Sequence, residues 1–413
     1  MKAIRLGICA LITFAVVSFG GVQPWGQAAV EIGSAGLFVL WGVAAIRERR
    51  AEIHWNWLFV PLLGLGAIAF VQWGFGLSVY AYLTKMELLR WAAHAMFFFL
   101  ALQAFRSEGQ VKQLAWFLLV LGFVVSLFGI VQHFTFNGNL YWLFALPAGA
   151  SPFGPFVDAD HFAGFIELIT PLGVAWLLFR PQRPEQAGLL VLLTVVPIGA
   201  VILSASRGGI LVLIGEFLAL AFLSHTRGLG RKQWLSVIGV AVVASAFIVW
   251  LGAGATIRRF EQFAHERIGE EVRISMCRDT SRIFLDHPWM GTGLGTLAAV
   301  YPGYASFYNG RTVDHAHNDF LELLADTGAL GGICGLCFVA LLFWQGLRNL
   351  QFGARKCDRA IVGGALVGCG GLLLHEMIDF NLHIPSNALI FLVLAAIATV
   401  ERRHPSDKLF RCA

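Results

Sequence analysis

Charge is scarce in this chain. Asp, Glu, Lys and Arg make up only 13% of its 413 residues, whereas 57% are hydrophobic and the mean hydropathy is +0.71. A water-soluble fold of this length is excluded, because its surface would need far more charge. Cysteine offers no framework either. Of seven cysteines, Cys9, Cys334, Cys337 and Cys369 lie in apolar runs, and Cys357 and Cys412 fall in segments read below as cytoplasmic. Cys277 is then alone in the long outer loop, which excludes a disulfide network there within one chain. Cys334-x-x-Cys337 lies inside an apolar helix, where free cysteine packs as a small hydrophobe, so packing is favoured over metal or redox chemistry. No basic patch is interleaved with aromatics, so nothing points to nucleic acid. Internal repeats and low-complexity linkers are also missing.

What the chain does have is apolar runs of roughly 17–25 residues, each long enough to cross a bilayer as one helix. They fall near 6–22, 28–46, 57–73, 88–105, 114–131, 161–179, 187–203, 208–224, 234–251, 330–347, 361–374 and 388–400. The first could pass for a signal peptide, but no small-x-small cleavage site follows it, so it reads as a retained span. The expected fold class is all-α: a polytopic membrane protein with about twelve transmembrane helices. It forms a single domain over residues 1–413, with one long periplasmic loop at 252–317 between the ninth and tenth spans.

Basic residues set the expected orientation. With both termini cytoplasmic, 20 of the 30 Lys and Arg lie inside. They include Arg47, Arg49 and Arg50, then Arg106, Lys112, Arg180 and Arg183, then Arg227, Arg231, Lys232, Arg348, Arg355, Lys356 and Arg359, and the tail. Seven of the ten outer ones sit in the long loop, where the positive-inside rule counts least. The net charge of +5 then mostly reports anchoring against anionic lipid. The loop itself holds seven basic and seven acidic residues between Gly252 and Asp314, so any anion site there must come from arranged side chains.

The most informative stretch is Asp314-His315-Ala316-His317-Asn318-Asp319-Phe320-Leu321, running on to Gly328. Taken alone it is a helix start with polar cap residues. It also places imidazole, the side chain whose unperturbed pKa lies nearest neutrality, at the outer mouth of a span. Upstream, residues 270–285 read as a helix stopped by Asp286-His287-Pro288. Trp289-Met290-Gly291-Thr292-Gly293-Leu294-Gly295 then forms a glycine-rich turn. With no strand before it, this is weak evidence for phosphate binding. Arg207, in Ser204-Ala205-Ser206-Arg207-Gly208-Gly209-Ile210-Leu211, has a plain use as a headgroup anchor. Asp379 and Asn381 have one as turn formers. The only outward-facing Asp-x-Asp is Asp158-x-Asp160, and a hard cation needs more oxygens than that, so no metal is expected.

Together these segments resemble the bacterial O-antigen ligase and polymerase superfamily. The resemblance rests on His317-Asn318-x-x-Leu321 with Gly328, on the run from Arg273 to Gly295 followed by Tyr301-Pro302-Gly303-Tyr304, and on Arg207-x-x-x-Leu211. It extends to Phe153-Gly154-Pro155-Phe156-Val157-Asp158-Ala159-Asp160-His161-Phe162-Ala163-Gly164 and to Asp379-Phe380-Asn381-Leu382-x-x-Pro385. These matches span residues 153–385 in the family's order. The chain departs at Asp160, where the family usually has asparagine.

The resemblance implies an enzyme that moves a glycan from an undecaprenyl-diphosphate carrier to a hydroxyl at the periplasmic face of the inner membrane. A ligase uses the lipid A core as acceptor, and a polymerase uses another carrier-linked unit; the former is favoured slightly. It implies His317 as base, Arg207 and Arg273 on the diphosphate, Arg278 as a third candidate cation, and His315 as the neighbour most easily mistaken for the base. Asn318, Asp160, His161, Asp379 and Asn381 complete the expected substrate-binding set. The expected partners are the lipid-linked donor, the acceptor and membrane lipids. A diphosphate leaves as a stable anion once cations neutralise it, so neither a cofactor nor a metal is expected. A lipid-linked glycan flippase remains the alternative of another class, and would be expected to carry ionisable residues inside its helices.

Overall fold

The computed structural model describes residues 1–48, 53–147, 149–180, 182–225, 239, 267–307, 310, 312–352 and 356–400. The expected span at 234–251, the first part of the long loop and the basic C-terminal tail lie outside the described residues. Among the rest the chain is almost entirely helical. The helices are α1 (Lys2–Val17), α2 (Pro24–Glu48), α3 (Phe59–Gly74), α4 (Ala81–Ala104), α5 (Glu108–Phe134), α6 (Ala159–Phe179), α7 (Pro184–Ser204) and α8 (Arg207–His225). They continue as α9 (Arg267–Asp286), α10 (Leu297–Val300), α11 (Asp319–Phe352), α12 (Lys356–His375) and α13 (Pro385–Thr399). One two-residue ladder, β1 (Asn139–Leu140) with antiparallel β2 (Phe144–Ala145), closes a turn after α5.

Every expected span that falls on described residues lies on a helix. By length and composition, six of the described helical stretches can cross a membrane: Pro24–Arg47, Glu108–Phe134, Ala159–Phe179, Pro184–Ser204, Arg207–His225 and Asp319–Gln351. Three more, Phe59–Gly74, Arg359–His375 and Pro385–Thr399, are apolar but shorter. The chain is thus a polytopic helical membrane protein. Two boundaries differ from expectation for backbone reasons. α1 stops at Val17 rather than near residue 22, because Phe19, Gly20 and Gly21 all take positive φ. α11 starts at Asp319, a full eleven residues before the expected span, and kinks at Gly328, whose φ is 65°.

α6 is the central helix, buried along nearly its whole length. α12 crosses it at close range through Gly364-x-x-x-Gly368. A Cβ at Gly364 would lie 2.7 Å from Leu172 Cα, and one at Gly368 would lie 2.8 Å from the Leu168 carbonyl oxygen. Small residues at this spacing are how membrane helices bring backbones together. Inside the same crossing, the buried Glu167 of α6 meets His375 Nδ1 at 3.0 and 3.1 Å. That pair ties the end of α12 to the core, and it fixes where the following loop emerges.

Candidate functional site

The loop from His375 to Asn381 is the meeting point of the segments that carry the sequence motifs. Its centre is Asp379, which is 2% exposed. His317 Nδ1 lies 3.2 Å from Asp379 Oδ1, and Asn381 Nδ2 donates to Oδ2 at 3.2 Å. His161 Nε2 stands 4.0 Å from the same Oδ2. Asn387 completes the support by donating to the His161 carbonyl and to Asn381 Oδ1, both at 3.0 Å. Burial alone would raise the Asp379 carboxyl. The hydrogen bond to His317 and the neighbouring His161, His375 and His317 imidazoles instead hold it well below the usual carboxylate range. An ionised carboxylate only accepts, so a neutral His317 must carry its proton on Nδ1 and its free lone pair on Nε2.

His317 sits just before α11, and its backbone is left-handed, with φ at 49°. Asn318 is the N-terminal cap: its Oδ1 accepts from Leu321 N at 3.0 Å, while its Nδ2 donates to the Met377 carbonyl at 2.9 Å. Asp319 N donates to the Glu376 carbonyl. These bonds clamp the His317 turn onto the 375–381 loop. Asn318 therefore orients the site with both ends of its amide occupied, and Asp379 and Asn381 stand behind the histidines as buried supports.

The arginines approach the same loop from the other side. Arg273, on α9, lies 3.4 Å from Asp160 Oδ2 and 3.4 Å from the Ile378 carbonyl. Asp160 also accepts from Ser206 Oγ at 2.6 Å, and Arg207 is the next residue, at the first turn of α8. Gly208 packs on the loop so closely that a Cβ there would stand 2.6 Å from His375 Nε2. Asp160 thus links the Arg207 and Arg273 segments. Asp158 caps α6 by accepting from Asp160 N at 2.8 Å, so the two aspartates serve different partners. Arg278 is exposed on the same helix as Arg273.

A second histidine–carboxylate group adjoins the first. His315 Nδ1 lies 2.9 Å from Glu322 Oε1, and His383 reaches Asp319 Oδ1 through Nδ1 at 2.9 Å and Glu322 Oε1 through Nε2 at 3.4 Å. The Phe380 ring joins the two groups, stacking on His315 at 4.4 Å and meeting His317 and His161 edge-on at 4.9 and 4.8 Å. Burial alone would lower the His383 imidazole, but Asp319 and Glu322 outweigh it and raise it to about 10. That stabilisation is present below the unfolded value of about 6.5 and fades as pH rises through the folded one. His315, Glu322 and His383 are also the described residues whose donor atoms are close enough to share a metal ion. They are already matched to one another, and an ion would have to displace the proton on His383.

Sequence reasoning missed Glu322, His383 and Asp319. The signal available was the acidic first turn of α11 beside two histidines, but pairing with His383 crosses 64 residues. A cavity of roughly 1530 Å³ has His161, His315, His317, Glu322 and His383 in its lining.

The glycine-rich turn has a structural job. Gly291, Gly293 and Gly295 all have positive φ, and a Cβ on Gly291 would lie 2.3 Å from the Asp326 backbone. Thr292 N and Gly293 N donate to the Ala325 and Asp326 carbonyls, and Gly295 N donates to Asp326 Oδ2 at 2.6 Å. Gln72 of α3 locks the turn from the far side through Asp326 O and Leu294 N. The amides of residues 291–295 are thus taken up within the protein, by His287, α11 and Gln72.

Apolar helices around a buried ion pair, with histidine, arginine and carboxylate groups gathered in the connecting loops, define a polytopic membrane protein with one composite polar site. The family model described as O-antigen ligase matches residues 190–336, which supports the O-antigen ligase superfamily and a membrane enzyme of the ligase or polymerase type. The matched stretch holds Arg207, Arg273, Arg278, His315, His317 and Asn318, whereas Asp160, His161, Asp379 and Asn381 lie beyond it. No curated protein matches the chain.

Proposed function

We propose that the protein is a glycosyltransferase of the inner membrane that moves a glycan from undecaprenyl diphosphate to a hydroxyl of the lipid A core. In this reading both termini are cytoplasmic, the 252–317 segment is a periplasmic loop of a single membrane domain, and the site faces the periplasm. The observation that carries it is the convergence of four motif-bearing segments on the 375–381 loop, itself part of the fifth, which brings an imidazole and an arginine to adjacent residues, Asp379 and Ile378. His317 Nε2 takes the proton of the acceptor hydroxyl as that oxygen attacks the anomeric carbon. The bond to the diphosphate oxygen breaks from the opposite face, so the sugar inverts. Arg207 and Arg273 receive the leaving charge, with the diphosphate exchanging for Asp160 on Arg273. Reconstituted protein supplied with carrier-linked glycan and lipid A core should form the joined product. A deletion strain should strand long chains on the carrier; single units on lipid A would instead mark a polymerase.

A planar guanidinium grips two phosphate oxygens at once, and lysine does not. Arg207→Lys and Arg273→Lys should each lower transfer roughly tenfold, since losing one charge-assisted hydrogen bond costs about 1.5 kcal/mol or more. Parental turnover in both would reduce the arginines to a diffuse field.

Protein-supplied cations also make a divalent ion unnecessary. Transfer should persist in excess chelator at constant ionic strength. If chelator abolishes it and Mg²⁺, Mn²⁺ or Zn²⁺ restores it, His315, Glu322 and His383 become the first ligands to replace.

A transporter reading draws on one feature. Glu216, in α8, is buried with neither carboxylate oxygen hydrogen-bonded, and Glu167 with His375 lies inside the core. Ionisable groups inside membrane helices mark translocation paths. Carrier-linked glycan crossing vesicles at the same rate in the His317→Ala protein, without any joined product, would establish that reading in place of transfer.

A further inference from the structure

We infer that the aromatic wall of the large cavity, built by Phe19, Trp25, Tyr141 and Phe144, is the subsite that receives the acceptor's sugar rings. This rests on the glycosyltransferase reading and deepens it by separating the two substrates. The cavity's roughly 1530 Å³ exceeds the 300–1,000 Å³ or so typical of small-molecule pockets, and suits an oligosaccharide. His315 and His317 are in its lining, so a chain bound along it can bring a hydroxyl to the base.

The wall's composition fits sugar. A pyranose has apolar C–H faces and polar edges, so it pairs with aromatic faces beside hydrogen-bonding side chains. Phe19 is the hub of the ring cluster, 5.2 Å from Phe144, 5.7 Å from Tyr141 and 6.4 Å from Trp25, each edge-on. Trp25 and Phe144 remain about half exposed, at 54% and 51%. Next to them Gln27 accepts from Arg90 Nη2 at 3.0 Å, and Arg90 pairs with Glu87 at 2.7 Å. Arg90 thus sets a hydrogen-bonding edge of Gln27 and Glu87 beside the rings. The two arginines of the donor site stand elsewhere, against Asp160 and the α8 start.

Backbone strain marks the same wall independently. Five described non-glycine residues have positive φ: Phe19, Tyr141, Trp142, Ala205 and His317. Such residues cost free energy and persist where the surroundings over-determine them, often at functional sites. His317 is the base and Ala205 lies two residues before Arg207. The other three form or adjoin the aromatic wall. Tyr141 is fixed there by donating its hydroxyl to the Val17 carbonyl at 2.6 Å, and Trp142 by donating from Nε1 to Thr135 at 3.0 Å. The three strained places thus correspond to base, donor and acceptor.

The test uses full-length protein in nanodiscs, with the delipidated core oligosaccharide of the host strain and the carrier-linked glycan as probes. Trp25→Ala should raise the acceptor KM about tenfold, the loss expected for one stacked aromatic ring, with donor KM and kcat within about twofold. Trp25→Phe should restore most of it. Direct binding of the core oligosaccharide to His317→Ala protein should weaken to the same degree when Trp25→Ala is added. Trp57→Ala, which removes an exposed ring outside the cavity, controls for general anchoring at the bilayer surface. Phe144→Ala supplies the same measurement if the Trp25 variant does not fold. Unchanged acceptor KM and binding in these variants, or a parallel rise in donor KM, overturns the subsite. Trp25-dependent oligosaccharide binding without any transfer would keep the subsite and overturn the transferase reading instead.

Discussion

Transfer by His317→Ala protein should fall by about 10²–10⁴-fold, the usual contribution of a general base, while donor affinity stays near that of the parent. The split follows from the geometry. His317 meets Asp379 through Nδ1 and is in the cavity lining, which leaves Nε2 for the acceptor in the proposed mechanism, whereas the donor's diphosphate is assigned to the arginines beyond Ile378. Acetyl-phosphate-like small donors would not report this, so the assay must use the lipid-linked glycan and follow single turnovers in membranes. His315→Ala is the companion variant. His315 has its own carboxylate, Glu322, and lines the same cavity, so distance to the cavity alone does not choose between them. The choice rests on Asp379, which joins His317 to the loop that also holds Arg273. If His315→Ala is the inactive protein and His317→Ala turns over normally at matched expression, the roles are exchanged.

Asp379→Asn should be the second most damaging change, lowering kcat by about 10²-fold or more with little movement of either KM. Asparagine preserves the size of the side chain and can still hydrogen-bond His317 and Asn381. It removes the charge that stabilises the imidazolium formed when the acceptor proton arrives. It also allows the amide to turn a donor toward Nδ1, which would put the ring in the wrong tautomer. Because Asp379 is buried with partners on both oxygens, thermal unfolding in the same detergent must be measured alongside. A kcat loss that tracks a fall in unfolding temperature, and that vanishes on cooling, would make Asp379 a structural residue only.

Much of the architecture was legible in the sequence because bilayer-length apolar runs are a long-range, redundant signal. The loop helix was legible too, since 270–285 lies within α9 and stops at Asp286 as the following proline requires. The start of α11 was not, because its first turn is polar and packs on the 375–381 loop instead of crossing apolar surroundings. Nor was the division of labour between aspartates. Spacing alone made Asp158 and Asp160 look like a pair, yet one caps its own helix and the other reaches Ser206, 46 residues away. The Glu167–His375 pair spans 208 residues, and no local pattern announces it. Glu167 and Glu216 likewise place ionisable side chains inside the core. Motif residues in series along the chain pointed to one place; only the loop that gathers them shows which line the cavity and which stand behind it.

The left-handed backbone at His317 sets the fold and the chemistry at odds. A β-carbon in that conformation costs on the order of 1 kcal/mol, which glycine would relieve at once. Stability pulls both ways there, because the same imidazole supplies a hydrogen bond to the buried Asp379 carboxylate. Replacing His317 by glycine should therefore exchange a relieved φ angle for an unpaired buried carboxylate, a balance that thermal unfolding can read.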